Sequence, residues 1–142
     1  MKTSARNQFA GTIQSIKTGA VNDEIVLRTK EGLELVAIIT HASTVALGLT
    51  PGKAAYALIK ASSIIVMMEA DKVLVSARNC LRGKLTAVTK GAVNAEVQID
   101  THEGARVAAI VTNESADRLD LATGKEATAI FKASSVLIAV DD

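Results

Sequence analysis

The chain repeats itself at a fixed offset. Ser4-Ala5-Arg6-Asn7 returns as Ser76-Ala77-Arg78-Asn79, Gly19-Ala20-Val21-Asn22 as Gly91-Ala92-Val93-Asn94, and Lys60-Ala61-Ser62-Ser63 as Lys132-Ala133-Ser134-Ser135, each pair 72 residues apart. Ala37-Ile38-Ile39-Thr40 relates to Ala109-Ile110-Val111-Thr112, Ser43 to Ser115 and Gly52-Lys53 to Gly124-Lys125 by the same step. Aligning 4–67 with 76–139 needs no gap and gives 27 identities in 64 positions. The chain is therefore a tandem duplication, with one domain expected over 1–70 and a second over 71–142. A unit this small has a marginal core of its own, so burial against the other copy or another chain should complete it. The junction 68–75 contains neither Gly nor Pro and reads as a short, semi-rigid connection.

Each unit has the pattern of strands. Phe9, Gly11 and Ile13 alternate with polar neighbours, and Ile25 and Leu27 alternate with Glu24, Val26 and Arg28. Glu31-Gly32 turns into the apolar run 33–39, Thr40 can cap a short helix that ends at Gly48, and Thr112 can do the same in the second copy. Pro51-Gly52 makes another turn before the apolar segment 54–59, the Lys-Ala-Ser-Ser interruption and the run 64–68. Five strands and one short helix per unit predict an all-β fold with short helices, two tandem OB-like five-stranded barrels. Only three aromatics, Phe9, Tyr56 and Phe131, are available, so the core must be aliphatic.

Charge and cysteine content narrow the function. Sixteen basic residues against fifteen acidic give a net charge of +1, too little for a protein that holds nucleic acid mainly by neutralising phosphates. The single Cys80 makes no internal disulfide and fits a reducing interior. The polar N-terminal segment 1–9 and apolar runs as short as 54–59 and 64–68 predict a cytoplasmic protein without a membrane partner.

The duplication also filters candidate chemistry, because a site built in both units should use residues present in both. His41 aligns with Asn113, His102 with Lys30 and Cys80 with Gln8, so none belongs to a duplicated metal, acid/base or thiol site, and both histidines read as solvated surface groups. Of the carboxylates only Glu24/Glu96 and Glu31/Glu103 recur, without an acid and base pairing between them. No enzyme is expected.

Hydrogen-bond donors are what recur. Ser4, Arg6 and Asn7 open the unit, Thr40 and Ser43 stand at the start of the short helix, and Lys60, Ser62 and Ser63 interrupt the late apolar run. A tetrahedral oxyanion wants such a mixture of hydroxyls, N–H groups and two cations to offset a double charge. Taken singly, each has a plain structural reading: an edge-strand lysine, a strand bend, a helix cap or an untethered terminus. Duplicated together, they favour a site. The segment Gly19-Ala20-Val21-Asn22 has a turn reading, with Gly at positive φ and Asn stabilising the bend, and a sharper one as a nest of backbone N–H groups facing an anion.

In this order and spacing, twice over, these motifs resemble the Mop domain of the molbindins. The resemblance implies OB-like barrels that associate, three two-repeat chains forming a homotrimer, with molybdate and tungstate as ligands between neighbouring units. Carried over, it implies that Ser4, Ala5, Arg6 and Asn7 meet Thr40, Ser43, Lys60, Ala61 and Ser62 of a neighbouring unit. The second copy would use Ser76, Ala77, Arg78, Asn79, Thr112, Ser115, Lys132, Ala133 and Ser134. A secondary anion site would draw on Gly19, Ala20, Val21, Asn22, Gly91, Ala92, Val93 and Asn94. The copies differ in turns, as at Gly48 against Asp120 and Pro51 against Thr123, so both should bind, and intracellular molybdenum storage and homeostasis is the role implied. The rival readings are a tandem OB nucleic-acid binder, against which no aromatic recurs between copies, and a structural oligomerisation module.

Overall fold

The computed structural model describes all 142 residues. The first copy supplies β1 (Asn7–Thr18), β2 (Asn22–Thr29), β3 (Glu34–Thr40), α1 (His41–Ala46), β4 (Ala54–Ile59) and β5 (Ile65–Met67). The second supplies β6 (Asn79–Lys90), β7 (Asn94–Thr101), β8 (Arg106–Thr112), α2 (Asn113–Arg118), β9 (Glu126–Phe131) and β10 (Leu137–Ala139). Three-residue 3-10 turns at Ala61–Ser63 and Ala133–Ser135 occupy the Lys-Ala-Ser-Ser interruptions, and a third, Ala70–Lys72, lies in the junction.

All ladders are antiparallel and form two five-stranded sheets, in the orders β10-β4-β1-β2-β3 and β5-β9-β6-β7-β8. The last strand of each copy thus completes the sheet of the other. Leu137 pairs with Leu58 and Ala139 with Tyr56, while Ile65 pairs with Ile130 and Met67 with Thr128. The compact units are accordingly Met1–Ile59 with Lys132–Asp142, and Lys60–Phe131. The expected partition into 1–70 and 71–142 follows the sequence repeat, whereas the compact units exchange its terminal segments.

Each five-stranded sheet is curled into a half-barrel, which matches the expected pair of tandem OB-like barrels. The curl has local causes. The register of β1 on β2 shifts between Ile13 and Ser15, and that of β6 on β7 between Leu85 and Ala87, bulges that bend a strand and increase its twist. Gly11 and Gly83 sit just before them, where the neighbouring strand comes too near for a side chain. A Cβ would lie 2.3 Å from the Arg28 carbonyl oxygen at Gly11 and 2.1 Å from that of Asp100 at Gly83.

Alternation then decides which residues are inside. Ile25, Leu27, Leu35, Ala37, Ala57 and Ile59 are buried in the first unit, and Val97, Ile99, Val107, Ala109, Ala129 and Phe131 in the second. The core is aliphatic, with Phe9 and Phe131 as its rings. The helices are set by their caps: Thr40 Oγ1 accepts from the Ser43 amide at 3.1 Å, and Thr112 Oγ1 from the Ser115 amide at 3.0 Å. Each helix ends at a residue of positive φ, Gly48 in one copy and Asp120 in the other, under a lysine from the following turn. Lys53 Nζ donates to the Leu47 carbonyl at 2.7 Å, and Lys125 Nζ to the Asp120 carbonyl at 2.8 Å.

Candidate functional site

In the first unit the strand exchange brings parts of both sequence copies to one cavity. Asn22, Ile38, Ile39, Thr40, Ser43, Leu47, Ser134, Val136, Leu137 and Ile138 line about 440 Å³. Its polar atoms come from three places: the start of β2, the cap of α1, and the 3-10 turn of the second copy's Lys-Ala-Ser-Ser segment. Asn22 and Thr40 are register partners across β2 and β3, so the ladder itself sets them side by side. The Thr40 and Ser43 hydroxyls lie 2.8 Å apart. Thr40 therefore has one role in holding α1 and keeps hydroxyl capacity on the cavity side.

The expected combination of Thr40 and Ser43 with Lys60, Ala61 and Ser62 is not what the fold assembles within a unit. Thr40 and Ser43 share their cavity with Ser134, and β8, which ends at Thr112, packs on the turn Ala61–Ser63. Each unit thus joins a Thr-x-x-Ser of one copy to a Lys-Ala-Ser of the other. Lys60 and Lys132 immediately precede the 3-10 turns and are exposed, with their backbones extended. Ala61 and Ala133 are buried and anchor those turns.

The segments 4–7 and 76–79 divide in two. Ser4 and Arg6, like Ser76 and Arg78, are exposed, and Ala5 and Ala77 are partly covered. None of them lines the cavity of the first unit. Asn7 points inward: it is buried, and its Nδ2 donates to the Ile59 carbonyl at 3.2 Å, the residue before Lys60. Asn79, equally buried, stands opposite Phe131, the residue before Lys132.

The loops 19–22 and 91–94 are exposed hairpin tips with Val21 and Val93 outermost. The positive φ expected at the glycine is absent there. Gly19 is required for space: a Cβ would lie 2.3 Å from the Asn22 carbonyl oxygen. The Gly19 amide donates to Asp23 Oδ1 at 3.1 Å, whereas the Gly91 amide donates to the Asn94 carbonyl at 2.7 Å. In both copies the residue after the capping threonine closes the loop, His41 N to the Val21 carbonyl and Asn113 N to the Val93 carbonyl, each at 2.9 Å.

His41 is at the surface, as expected, but it has a partner that the sequence did not show. Its Nδ1 lies 2.9 Å from Asp23 Oδ2, and that carboxylate is fully buried. The Thr44 hydroxyl holds the Asp23 carboxyl below its ordinary value of 3.8, with further help from His41 and the Gly19 amide, while burial works the other way. Filtering for duplicated residues discards Asp23, because Ala95 stands at its counterpart. The missed signal was an acidic residue in the inward phase of the alternation, followed by Ile25 and Leu27. His102 does lie at the surface, with Nε2 3.2 Å from Glu126 Oε2 and both side chains more than half exposed. Cys80 is exposed, its thiol directed to the Ala77 carbonyl as Gln8 is to that of Ala5.

The arrangement offers hydroxyl and amide donors without a nucleophile beside a base, and no group of three or more His, Cys, Asp or Glu could hold a metal ion. Its chemistry is that of binding an acceptor-rich anion. No helix is long and apolar enough to cross a membrane.

Comparison with known proteins finds the TOBE domain at residues 3–66 and again at 75–138. The molybdenum-pterin-binding protein MopA of Rhodobacter capsulatus is 42% identical over 140 residues, which are 99% of this chain and 53% of that protein. The molybdenum transport protein ModE of Azotobacter vinelandii is 43% identical over 140 residues, 99% of this chain and 52% of that protein. The chain thus spans about half the length of these curated relatives. A crystal structure of the cytoplasmic molybdate-binding protein ModG with molybdate bound superposes with a TM-score of 0.94 at 39% identity, covering 99% of this chain and all of that one.

Proposed function

The chain belongs to the TOBE-domain family, which it matches in both halves, and on that premise we propose that it binds molybdate, and with it tungstate, reversibly and without chemistry, for intracellular molybdenum storage and homeostasis. The observation that carries this reading is the cavity in which Asn22, Thr40 and Ser43 of one copy converge with Ser134 of the other. ModG, whose solved form holds molybdate, shares the whole fold, and MopA binds a molybdenum pterin.

The lining supplies hydroxyls and an amide but no cation. A dianion confined there needs positive charge brought to it. Lys132, two residues before Ser134, is one source, and Arg6 of an associating copy is the other, so that +2 meets −2. Association of three chains completes the donor set in this reading, with Arg78 and Lys60 acting for Thr112 and Ser115 in the second unit. Capacity then follows assembly. The partners are the oxyanion and further copies of the chain, in the cytoplasm, rather than nucleic acid: a net charge of +1 supplies no broad basic face.

Selectivity against sulfate comes from cavity size, since charge and shape are alike. Phosphate is disfavoured further where its proton meets only donors. Crystals grown with molybdate and measured at the molybdenum absorption edge test the assignment. An anomalous peak among Thr40, Ser43 and Ser134 is expected; peaks only at other surfaces would overturn it.

A further inference from the structure

β3 and β10 stand at the two ends of the first sheet's strand order, so they are its edges, and no ladder joins them. The sheet nevertheless brings these edges together: β3 packs against β10 and against the 3-10 turn Ala133–Ser135 that leads into it. The cavity of the first unit lies along this seam. Ile39, Thr40 and Ser43 line it from β3 and α1, and Ser134, Leu137 and Ile138 line it from the segment 132–142. Whatever is held there touches both sides.

The segment is held to its unit by a short ladder. β10 is three residues long and pairs with β4 alone. Before it, Ala133 and Val136 are buried, whereas Ser134 and Leu137 are exposed. Beyond it, the Tyr56 hydroxyl donates to Asp141 Oδ2 at 3.1 Å. Tyr56 is the register partner of Ala139, two residues before Asp141, and it alternates with the buried Ala55 and Ala57. The phenol therefore reaches the segment from the outer face of the sheet and is not part of the cavity lining. The second unit is tied otherwise. Thr128 stands there in the place of Tyr56 and Glu69 in that of Asp141, and the Glu69 carboxylate takes Lys72 Nζ at 3.2 Å.

We propose that the segment 132–142 is a strap that oxyanion binding closes across the seam, with Tyr56 and Asp141 as its latch. Short edge strands open at lower free energy than the core they cover. When the strap lifts, Ser134, Leu137 and Ile138 leave the cavity together, and an anion there loses one of its two walls. A ligand that touches both walls binds the closed arrangement more tightly and shifts the population toward it. The coupling is reciprocal, so the exchanged strand becomes part of the binding equilibrium. In effect the anion supplies the link that no ladder makes between β3 and β10. This inference rests on reading the cavity as an oxyanion site.

Hydrogen exchange on the intact chain, with molybdate as the probe, tests the strap. In the free protein the amides of Leu137, Ile138 and Ala139 should exchange faster than those of Ile25 and Leu27 in the core. With molybdate at about a hundred times its dissociation constant they should slow about a hundredfold, the factor by which a ligand suppresses an opening that releases it. Sulfate at the same concentration should leave them unchanged. Asp141→Ala should speed them at least about twofold in the free protein, and Asp141→Asn, which keeps an acceptor for the Tyr56 hydroxyl, should not. Equilibrium dialysis alongside keeps the two claims apart. If molybdate binds and the β10 amides exchange as before, or if they are as slow as Ile25 without it, the strap is overturned and the oxyanion reading stands. If no molybdate binds, the oxyanion reading fails and the strap falls with it. An Asp141→Ala chain whose β10 amides keep the parent's rate removes the latch.

Discussion

Thr40 and Ser43 are joined twice, through the Ser43 amide at 3.1 Å from Thr40 Oγ1 and through hydroxyls 2.8 Å apart. Thr112 and Ser115 repeat the arrangement at 3.0 and 2.9 Å. One threonine thus caps a helix and fixes the direction of a second hydroxyl. Thr40→Val should lower stability by about 1 kcal/mol through the lost cap and should also weaken oxyanion binding in the first unit. Thr40→Ser should restore both. Thermal melts beside calorimetric titration check this, and a valine variant that melts lower but binds as before would confine Thr40 to capping.

Arg6 and Arg78 are assigned the charge that the cavity lining lacks. The double variant Arg6→Ala/Arg78→Ala should bind molybdate at least about tenfold more weakly, since an uncompensated dianion is left behind. Affinity and stoichiometry equal to the parent's in equilibrium dialysis would remove the arginines from the site.

The exchange of end strands has a test that the sequence repeat alone would not suggest. A chain shortened by residues 132–142 loses β10, which pairs with β4 rather than with β9. Hydrogen exchange should accelerate at Tyr56 and Leu58 and remain slow at Thr128 and Ile130. The opposite pattern would mean that each copy closes on its own last strand.

Gly11 and Gly83 mark where the sheets bend. Alanine at either would place a methyl against a backbone carbonyl, at 2.3 and 2.1 Å respectively, so something in the ladder must shift. Each substitution should cost about 1–3 kcal/mol in denaturant unfolding. Alanine at Gly52, where no atom lies within 4 Å but φ is +92°, should cost through backbone strain alone.

Acid should act on the first copy through Asp23. Its carboxyl is held below 3.8 in the folded chain, first by Thr44 and then by His41 and Gly19. Such a group contributes stability that is fully present above its unfolded value and is lost as pH falls through the lowered folded value. Asp100, lowered chiefly by Arg106, has the same sign in the second copy. Asp23→Asn should therefore flatten the decline in stability below about pH 4. An acid unfolding curve that the substitution leaves unchanged would contradict this.

Much of the architecture was legible because it depends on local pattern. Inward Ile25 and Leu27, the Thr40 cap and the turns at Gly32 and Gly52 follow from alternation and turn chemistry, and each appears where those rules place it. The strand exchange was not legible. β5 and β10 are both short apolar strands, and their possible partners β4 and β9 are similar too, so pattern alone cannot choose between closing on one's own sheet and on the other's. The same ambiguity hid the pairing of Thr40 and Ser43 with Ser134. Asn7 was legible as recurrent but not as inward, because β1 begins on it and no alternation precedes it. Asp23 escaped for the opposite reason: a filter that keeps only duplicated residues discards whatever one copy has acquired alone.

Equilibrium dialysis against molybdate, with tungstate, sulfate and phosphate as competitors and the native mass measured in parallel, tests the central claim most directly. The account predicts saturable molybdate binding by a trimer, displaced by tungstate and not by the other two. A monomer that retains no molybdate at micromolar concentration would contradict it.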